Sequence, residues 1–175
     1  VAAMDLRRLR LENNGLGIYL SDVAEGSNIE DISVQRTSRG PKTGDDAAFD
    51  GIGIFLGGRG ESRVIRARLV ESAGVAMMIS DHAANLEDVV VLDTRAASSG
   101  SGGRGIEINN STVTISRADL ENNFGFGVGI FSSKVDINDL LVRGVALSET
   151  AVGVATLYDS ATTIRRFEVS GSEVA

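Results

Sequence analysis

The feature that most constrains this chain is a repeat. LENNGLGIYLS at positions 11–21 and LENNFGFGVGIFS at 120–132 nearly coincide although more than a hundred residues separate them. Behind them lies a spaced pattern: an apolar residue, another three positions on, and another five positions on. It occurs seven times, at Leu6/Leu9/Leu11, Ile29/Ile32/Val34, Val64/Ala67/Leu69, Leu86/Val89/Val91, Ile115/Ala118/Leu120, Ile137/Leu140/Val142 and Ile164/Phe167/Val169. First members lie 23, 35, 22, 29, 22 and 27 residues apart, so a unit of about 22 residues recurs and every second unit carries an insertion. So short a unit cannot bury an apolar face alone, and it must stack on its neighbours.

Each of the first six triplets is followed by a segment alternating at period two: GIYL, GIFL, AMMI, GIEI, GVGI and GVAT. Period two specifies strand. The +3 step inside the triplet breaks that alternation and implies a two-residue bend between two short strands. Three short strands per turn, stacked about 4.8 Å apart, make a parallel coil in which inward residues pile up by type. Ile29, Val64, Leu86, Ile115 and Ile137 are then expected in one buried column, with Leu11, Val34, Leu69, Val91, Leu120 and Val142 in another. A leucine-rich repeat is the rival, because LRRLRLENN fits its pattern. That pattern needs Asn eight residues after the first Leu, and only Asn14 and Asn123 supply it; Thr37, Ser72, Thr94, Val145 and Ser172 stand elsewhere.

Segments such as STVTISRADLENNFGFGVGIF resemble right-handed parallel β-helix repeats, the coil shared by pectate lyases and many bacterial surface proteins. The resemblance implies an all-β, right-handed parallel β-helix of about seven turns with three short strands per turn. It spans 1–175 as a single segment. The two LENN stretches become equivalent corners of turns one and five. The chain opens VAAMDLRRL and stops at FEVSGSEVA in mid-pattern, which suggests a piece of a larger bacterial secreted or cell-surface protein whose coil continues. A coil cut between turns exposes backbone groups and apolar core at its ends, so an isolated chain is expected to stack end to end or to continue within a longer polypeptide.

Composition excludes several function classes. With 42% hydrophobic residues in 175 the chain can bury a core. It has no Cys for disulfides or thiolate metal sites, and no apolar run approaching the roughly 18 residues of a membrane-spanning helix. A net charge of −7 with no Lys/Arg stripe argues against nucleic acid.

The second residue of the bend runs Arg8, Asp31, Arg66, Asp88, Arg117, Asp139, Arg166, with signs alternating through all seven copies. Neighbouring turns would set opposite charges roughly 5 Å apart, each with partners above and below. Self-neutralising charge makes a poor ligand site and a good register lock. The alternation matches the alternating insertions, as duplication of a two-turn unit of roughly 50 residues would produce.

In the β-helix family the face holding the GIYL-type strand commonly carries the active cleft. Its outward residues here are expected to be Tyr19, Phe55, Met78, Glu107, Gly129 and Ala155, which include one carboxylate. Polygalacturonase-like hydrolysis needs grouped carboxylates and a His, and pectate-lyase-like elimination needs clustered acidic Ca²⁺ ligands and an Arg base. Neither grouping stands out, so catalysis within this segment is not expected. Tyr19, Phe55 and Met78 instead suggest an exposed apolar strip for a polysaccharide or protein partner, or for lateral self-association, although the absence of Trp weakens the sugar version. Asp45, Asp46 and Asp50 in the first insertion are a weak Ca²⁺ candidate without EF-hand spacing, and no other cofactor is implied. His82 beside Asp81 offers a general-base or ligand-binding pair, with a surface corner as the plainer reading. GGRGESR lacks the GK[ST] of a phosphate loop. The expected role is a structural or adhesive module; the alternative is part of a polysaccharide lyase or glycoside hydrolase whose catalytic residues lie largely outside this segment.

Overall fold

A computed structural model describes residues 2–38, 51–96, 102–145 and 151–171. The described residues form thirteen strands and no helix. The triplets lie on β1 (Asp5–Glu12), β3 (Ser27–Gln35), β5 (Glu61–Val70), β7 (Ala83–Leu92), β9 (Thr112–Glu121), β11 (Lys134–Arg143) and β13 (Ala161–Ser170). The alternating segments lie on β2 (Leu16–Ser21), β4 (Ile52–Gly57), β6 (Val75–Ser80), β8 (Arg104–Asn109), β10 (Phe126–Phe131) and β12 (Val152–Leu157). Triplet strands build a seven-stranded sheet in chain order, and the others a six-stranded sheet in chain order. Every strand pair is parallel. The protein is therefore a parallel β-solenoid.

Among the described residues the coil makes six complete turns, against the seven expected. The seventh triplet forms β13, but no alternating strand follows it among the described residues.

Each turn has three corners, and a residue of left-handed backbone marks each one. In the third turn these are Arg66 (φ 53°), Glu71 (φ 56°) and Asp81 (φ 54°); in the fifth, Arg117 (φ 62°), Asn122 (φ 54°) and Ser132 (φ 48°). The first corner is the expected bend, narrowed to one residue. Pairing stops at Ile65↔Glu87 and resumes at Ala67↔Val89, with Arg66 and Asp88 opposite each other and unpaired. Each triplet strand thus has two arms around a hinge and, with the alternating strand, gives three extended segments per turn. The turn-to-turn ladder also continues past the second and third corners, as in Glu71 N–H to Leu92 C=O at 3.0 Å and Asp81 N–H to Asn109 C=O at 3.1 Å.

The core lies between the sheets. Ile29, Val64, Leu86, Ile115 and Ile137 are consecutive register partners, and so are Val34, Leu69, Val91, Leu120 and Val142. All ten are buried, and Leu11 at the open end is half-buried. Ile18, Ile54, Met77, Ile106 and Val128 face them from the other sheet. Fully burying one such side chain contributes about 1.5–3 kcal/mol, so the stacked columns dominate stability.

The glycine opening GIYL, GIFL, GIEI, GVGI and GVAT has a steric cause. A Cβ on Gly105 would sit 2.5 Å from the Gly127 carbonyl oxygen and 2.7 Å from Leu120 Cδ2; one on Gly127 would sit 2.5 Å from Gly153 O and 2.6 Å from Val142 Cγ1. Close approach of successive turns at this corner leaves no room for a side chain. Only AMMI, with Ala76, departs from the column.

The residues eight beyond the first triplet member form a buried polar file. Thr37, Ser72, Thr94 and Asn123 are all at most 3% exposed. Where insertions leave the coil, the threonine clasps their base: Thr37 Oγ1 donates to Gly51 O at 2.9 Å, and Thr94 Oγ1 donates to Gly103 O at 2.5 Å.

The charge ladder exists, with narrower pairing than alternation alone implies. Arg66 Nε donates to Asp31 at 2.6 Å, Arg117 Nε to Asp88 at 2.5 Å and Arg166 Nε to Asp139 at 2.5 Å. Each paired arginine grips the aspartate of the preceding turn, and two add a glutamate beside it: Arg66 with Glu30, and Arg117 with Glu87 at 2.7 Å. The expectation of direct partners both above and below is corrected. A side chain leaving the hinge reaches one neighbour, and the next turn acts only through space, as Arg66 does on Asp88. The arginine hydrogen bonds hold the carboxyls of Asp31, Asp88 and Asp139 below their ordinary value.

Candidate binding face

The outward side of the six-stranded sheet carries the anticipated column. Tyr19, Phe55, Met78, Glu107, Gly129 and Ala155 are consecutive register partners from β2 to β12. Their exposure differs from the expected open apolar strip. Tyr19 is 48% exposed, but Phe55 is only 6% and Met78 is half-buried. The Tyr19 and Phe55 rings stack at 4.9 Å with an interplanar angle of 11°. Phe55 also lies across Gly57, where a Cβ would come within 2.4 Å of its ring. Gly57 opens a seat into which the phenylalanine folds down, leaving Tyr19 as the presented ring.

Glu107 is buried although it points outward, at 7% exposure. Its two oxygens are both engaged. Arg104 pairs with Oε2, and Asn109 Nδ2 donates to Oε1 at 3.0 Å. The Arg104 guanidinium in turn lies 5.4 Å from the centroid of the Phe126 ring, within cation–π range. The carboxylate, guanidinium and ring are therefore mutually oriented.

Reading the middle column alone misses the aromatics of turn five. Phe126 and Phe131 have ring centroids 6.3 Å apart and lean over Gly129, where a Cβ would come 2.9 Å from Phe131 and 3.3 Å from Phe126. Phe131 continues to Tyr158 at 6.2 Å, and Tyr158 is 72% exposed. Phe131 occupies the next outward column, two residues beyond Gly129, so the period-two pattern already contained the signal. The face thus has aromatic groups at turns one to two and five to six, with Met78 and the Arg104–Glu107–Asn109 cluster between them.

Asp81 and His82 lie at the corner after β6, beside this face, and do separate jobs. Asp81 accepts hydrogen bonds from Asn110 Nδ2 at 2.5 Å and Ser80 Oγ at 3.1 Å. His82 is not the surface residue expected, at 4% exposure. The left-handed turn at Asp81 swings it inward. Its Nδ1 lies 3.1 Å from Gly58 O and its Nε2 2.9 Å from Ser62 Oγ. It heads a corner ladder in which His82 N–H donates to Ser111 Oγ at 3.1 Å and Ser111 N–H to Ser133 Oγ at 3.0 Å. Both ring nitrogens are engaged within the fold, so His82 reads as a structural post.

Among the described residues no group of three or more His, Asp or Glu side chains is placed to hold a metal ion. Asp45, Asp46 and Asp50 lie outside the described residues. No helix is long and apolar enough to cross a membrane among the described residues. No family model, curated protein or solved structure matches the chain.

Proposed function

We propose that this solenoid is a structural or adhesive binding module, part of a secreted or surface protein, that presents the outward face of its six-stranded sheet to an extended polysaccharide. The observation that carries this reading is the alignment of Tyr19 and Phe55 with Met78 and Glu107 on successive turns, facing the Phe126–Phe131–Tyr158 group further along. At about 4.8 Å per turn, the two aromatic groups stand some 19 Å apart, a span suited to a polymer rather than a small molecule. Flat rings supply apolar contact, while the fixed Arg104–Glu107–Asn109 cluster supplies oriented polar groups, a combination common to ligand faces. Glu107, with both oxygens engaged, suits recognition better than proton transfer.

Affinity electrophoresis through gels containing neutral or acidic polysaccharides tests the proposal. A retarding polymer should lose its effect on Tyr19→Ser and Phe131→Ser but keep it on Thr114→Ala, which lies on the other sheet. Equal migration of all four proteins in every gel would reject glycan binding and turn attention to a protein partner.

A further inference from the structure

The proposed face differs from the other sheet in charge. Of the described residues on β2, β4, β6, β8, β10 and β12, only Arg104 and Glu107 are charged, whereas each strand of the triplet sheet carries at least two charged residues. These two cancel. Arg104 pairs with Glu107 Oε2, the glutamate is 7% exposed, and its other oxygen accepts from Asn109 Nδ2 at 3.0 Å. The polar groups beside them are neutral: Ser21, Ser80 and Asn109 share the outward column one step beyond Tyr19, Met78 and Glu107. Their hydroxyls and amide offer hydrogen bonds, and the rings of Tyr19, Phe126 and Phe131 offer apolar area, with no net charge.

The corners that follow these strands add negative charge. They carry Asp22, Glu25, Asp81 and Asp159 against Arg59, so carboxylates prevail along one flank of the face. Asp22 accepts from the Arg59 backbone N–H at 3.0 Å, and Asp81 accepts from Asn110 and Ser80. Both stand three residues beyond Tyr19 and Met78, about 10 Å along the strand, which is the reach of a charge at 0.1 M salt. On the other flank the described arginines are matched by glutamates: Arg36 by Glu12 at 3.0 Å, Arg95 by Glu71 at 2.7 Å and Arg143 by Glu121 at 3.5 Å. A polymer lying across the turns therefore meets no excess of positive charge on the strands or among the described residues of either flank.

Resting on the polysaccharide reading above, we infer that the polymer this face takes is uncharged, and that Glu107 keeps the face neutral by cancelling Arg104. Rings and neutral hydrogen-bonding groups suit the C–H faces and hydroxyls of a neutral glycan. A uronate- or sulfate-bearing chain finds the one cation on the face already matched and carboxylates beside it, and like charge facing like charge rejects a partner. Glu107 thus acts on specificity through Arg104 rather than by proton transfer.

Affinity electrophoresis with polymers of one backbone and two charges separates this inference from glycan binding itself. The pairs are hydroxyethyl cellulose beside carboxymethyl cellulose, and galactomannan and pullulan each beside its carboxymethyl ether, with mobilities read against serum albumin. The unmodified protein should be retarded by a neutral member and less by its acidic partner, with the gap closing as salt is added. Glu107→Gln leaves Arg104 unmatched beside a side chain of the same shape. It should raise retardation in the acidic gel relative to the neutral one by roughly 1.5- to 5-fold, the worth of one exposed charge contact. Ala155→Lys adds a cation in the same column without touching the pair, and should shift the ratio the same way if Glu107→Gln folds poorly by far-UV circular dichroism. Equal or stronger retardation of the unmodified protein by the acidic partner would overturn the inference while leaving polysaccharide binding in place. Retardation in no gel would reject that binding and the inference with it, and a folded Glu107→Gln with an unchanged ratio would overturn the role given to Glu107.

Discussion

Adding one methyl group to Gly105 should damage the solenoid more than its size suggests. Gly105 is buried where β8 begins, and its new Cβ would lie 2.5 Å from the carbonyl oxygen of Gly127 on the next turn, whereas ordinary contact begins at 3.4 Å. Leu120 Cδ2, at 2.7 Å, can shift by rotation, but the Gly127 carbonyl belongs to the backbone of the neighbouring turn. Relief therefore requires the two turns to part locally, and overpacking of this kind costs about 1–3 kcal/mol. The lower chain entropy of alanine in the unfolded state offsets about 0.4–1 kcal/mol. Because the clash is with backbone, the cost lies in the upper half of that range, and we expect Gly105→Ala to destabilise by about 1–2.5 kcal/mol, read as a lower urea midpoint with the slope unchanged. In the same column Ala76→Gly should also destabilise, by about 1–2 kcal/mol, because it removes a buried methyl group and adds backbone freedom. A neutral or stabilising Gly105→Ala would refute the close approach of turns at this corner.

The ladder predicts an acid limit. The carboxyls of Asp31, Asp88 and Asp139 are held below 3.8 mainly by the hydrogen bonds from Arg66, Arg117 and Arg166, so their stabilisation is present above that pH and is lost as pH falls through the folded values. Thermal midpoints should fall below about pH 4, and fall less steeply in Asp31→Asn/Asp88→Asn/Asp139→Asn; parallel curves would mean that these pairs do not contribute. Replacing His82 by Phe leaves the buried Ser62 hydroxyl without its ring partner and should cost about 1–3 kcal/mol in urea unfolding, whereas a surface histidine would tolerate the change.

The fold was legible because its rules are periodic. Triplet spacing located every hinge, and period two placed Tyr19, Phe55, Met78, Glu107, Gly129 and Ala155 in the one register column they share. What escaped the sequence depends on a neighbour a turn away or on a glycine close by. Phe55 is buried partly because Gly57 leaves space beneath its ring, and His82 fits inward beside Gly60, where a Cβ would lie 3.6 Å from the imidazole. Alternating charge gave the position of the ladder but not the direction of its grip, which depends on how a long arginine side chain leaves a left-handed hinge. The file of Thr37, Ser72, Thr94 and Asn123 looked like a failed leucine-rich signature; it is an internal polar seam that ties down the bases of two insertions. Phe131 stands one outward column beyond Gly129, whereas Phe126, three residues before that glycine, is out of phase with the period-two pattern and reaches the face only because Gly129 leaves room for its ring.

A single uninterrupted coil makes a geometric demand that can be measured directly. Asn28, Thr114, Asp136 and Thr163 belong to one outward register column on turns two, five, six and seven. The chain has no cysteine, so spin labels can be placed on pairs of introduced cysteines without removing any native thiol. Pulsed electron–electron distances from Asn28→Cys to Thr114→Cys, Asp136→Cys and Thr163→Cys should be about 14, 19 and 24 Å, rising by about 4.8 Å per turn. Equal steps despite unequal sequence separations are the predicted result; distances that fail to increase turn by turn, or that scatter from pair to pair, would contradict the stacked parallel solenoid.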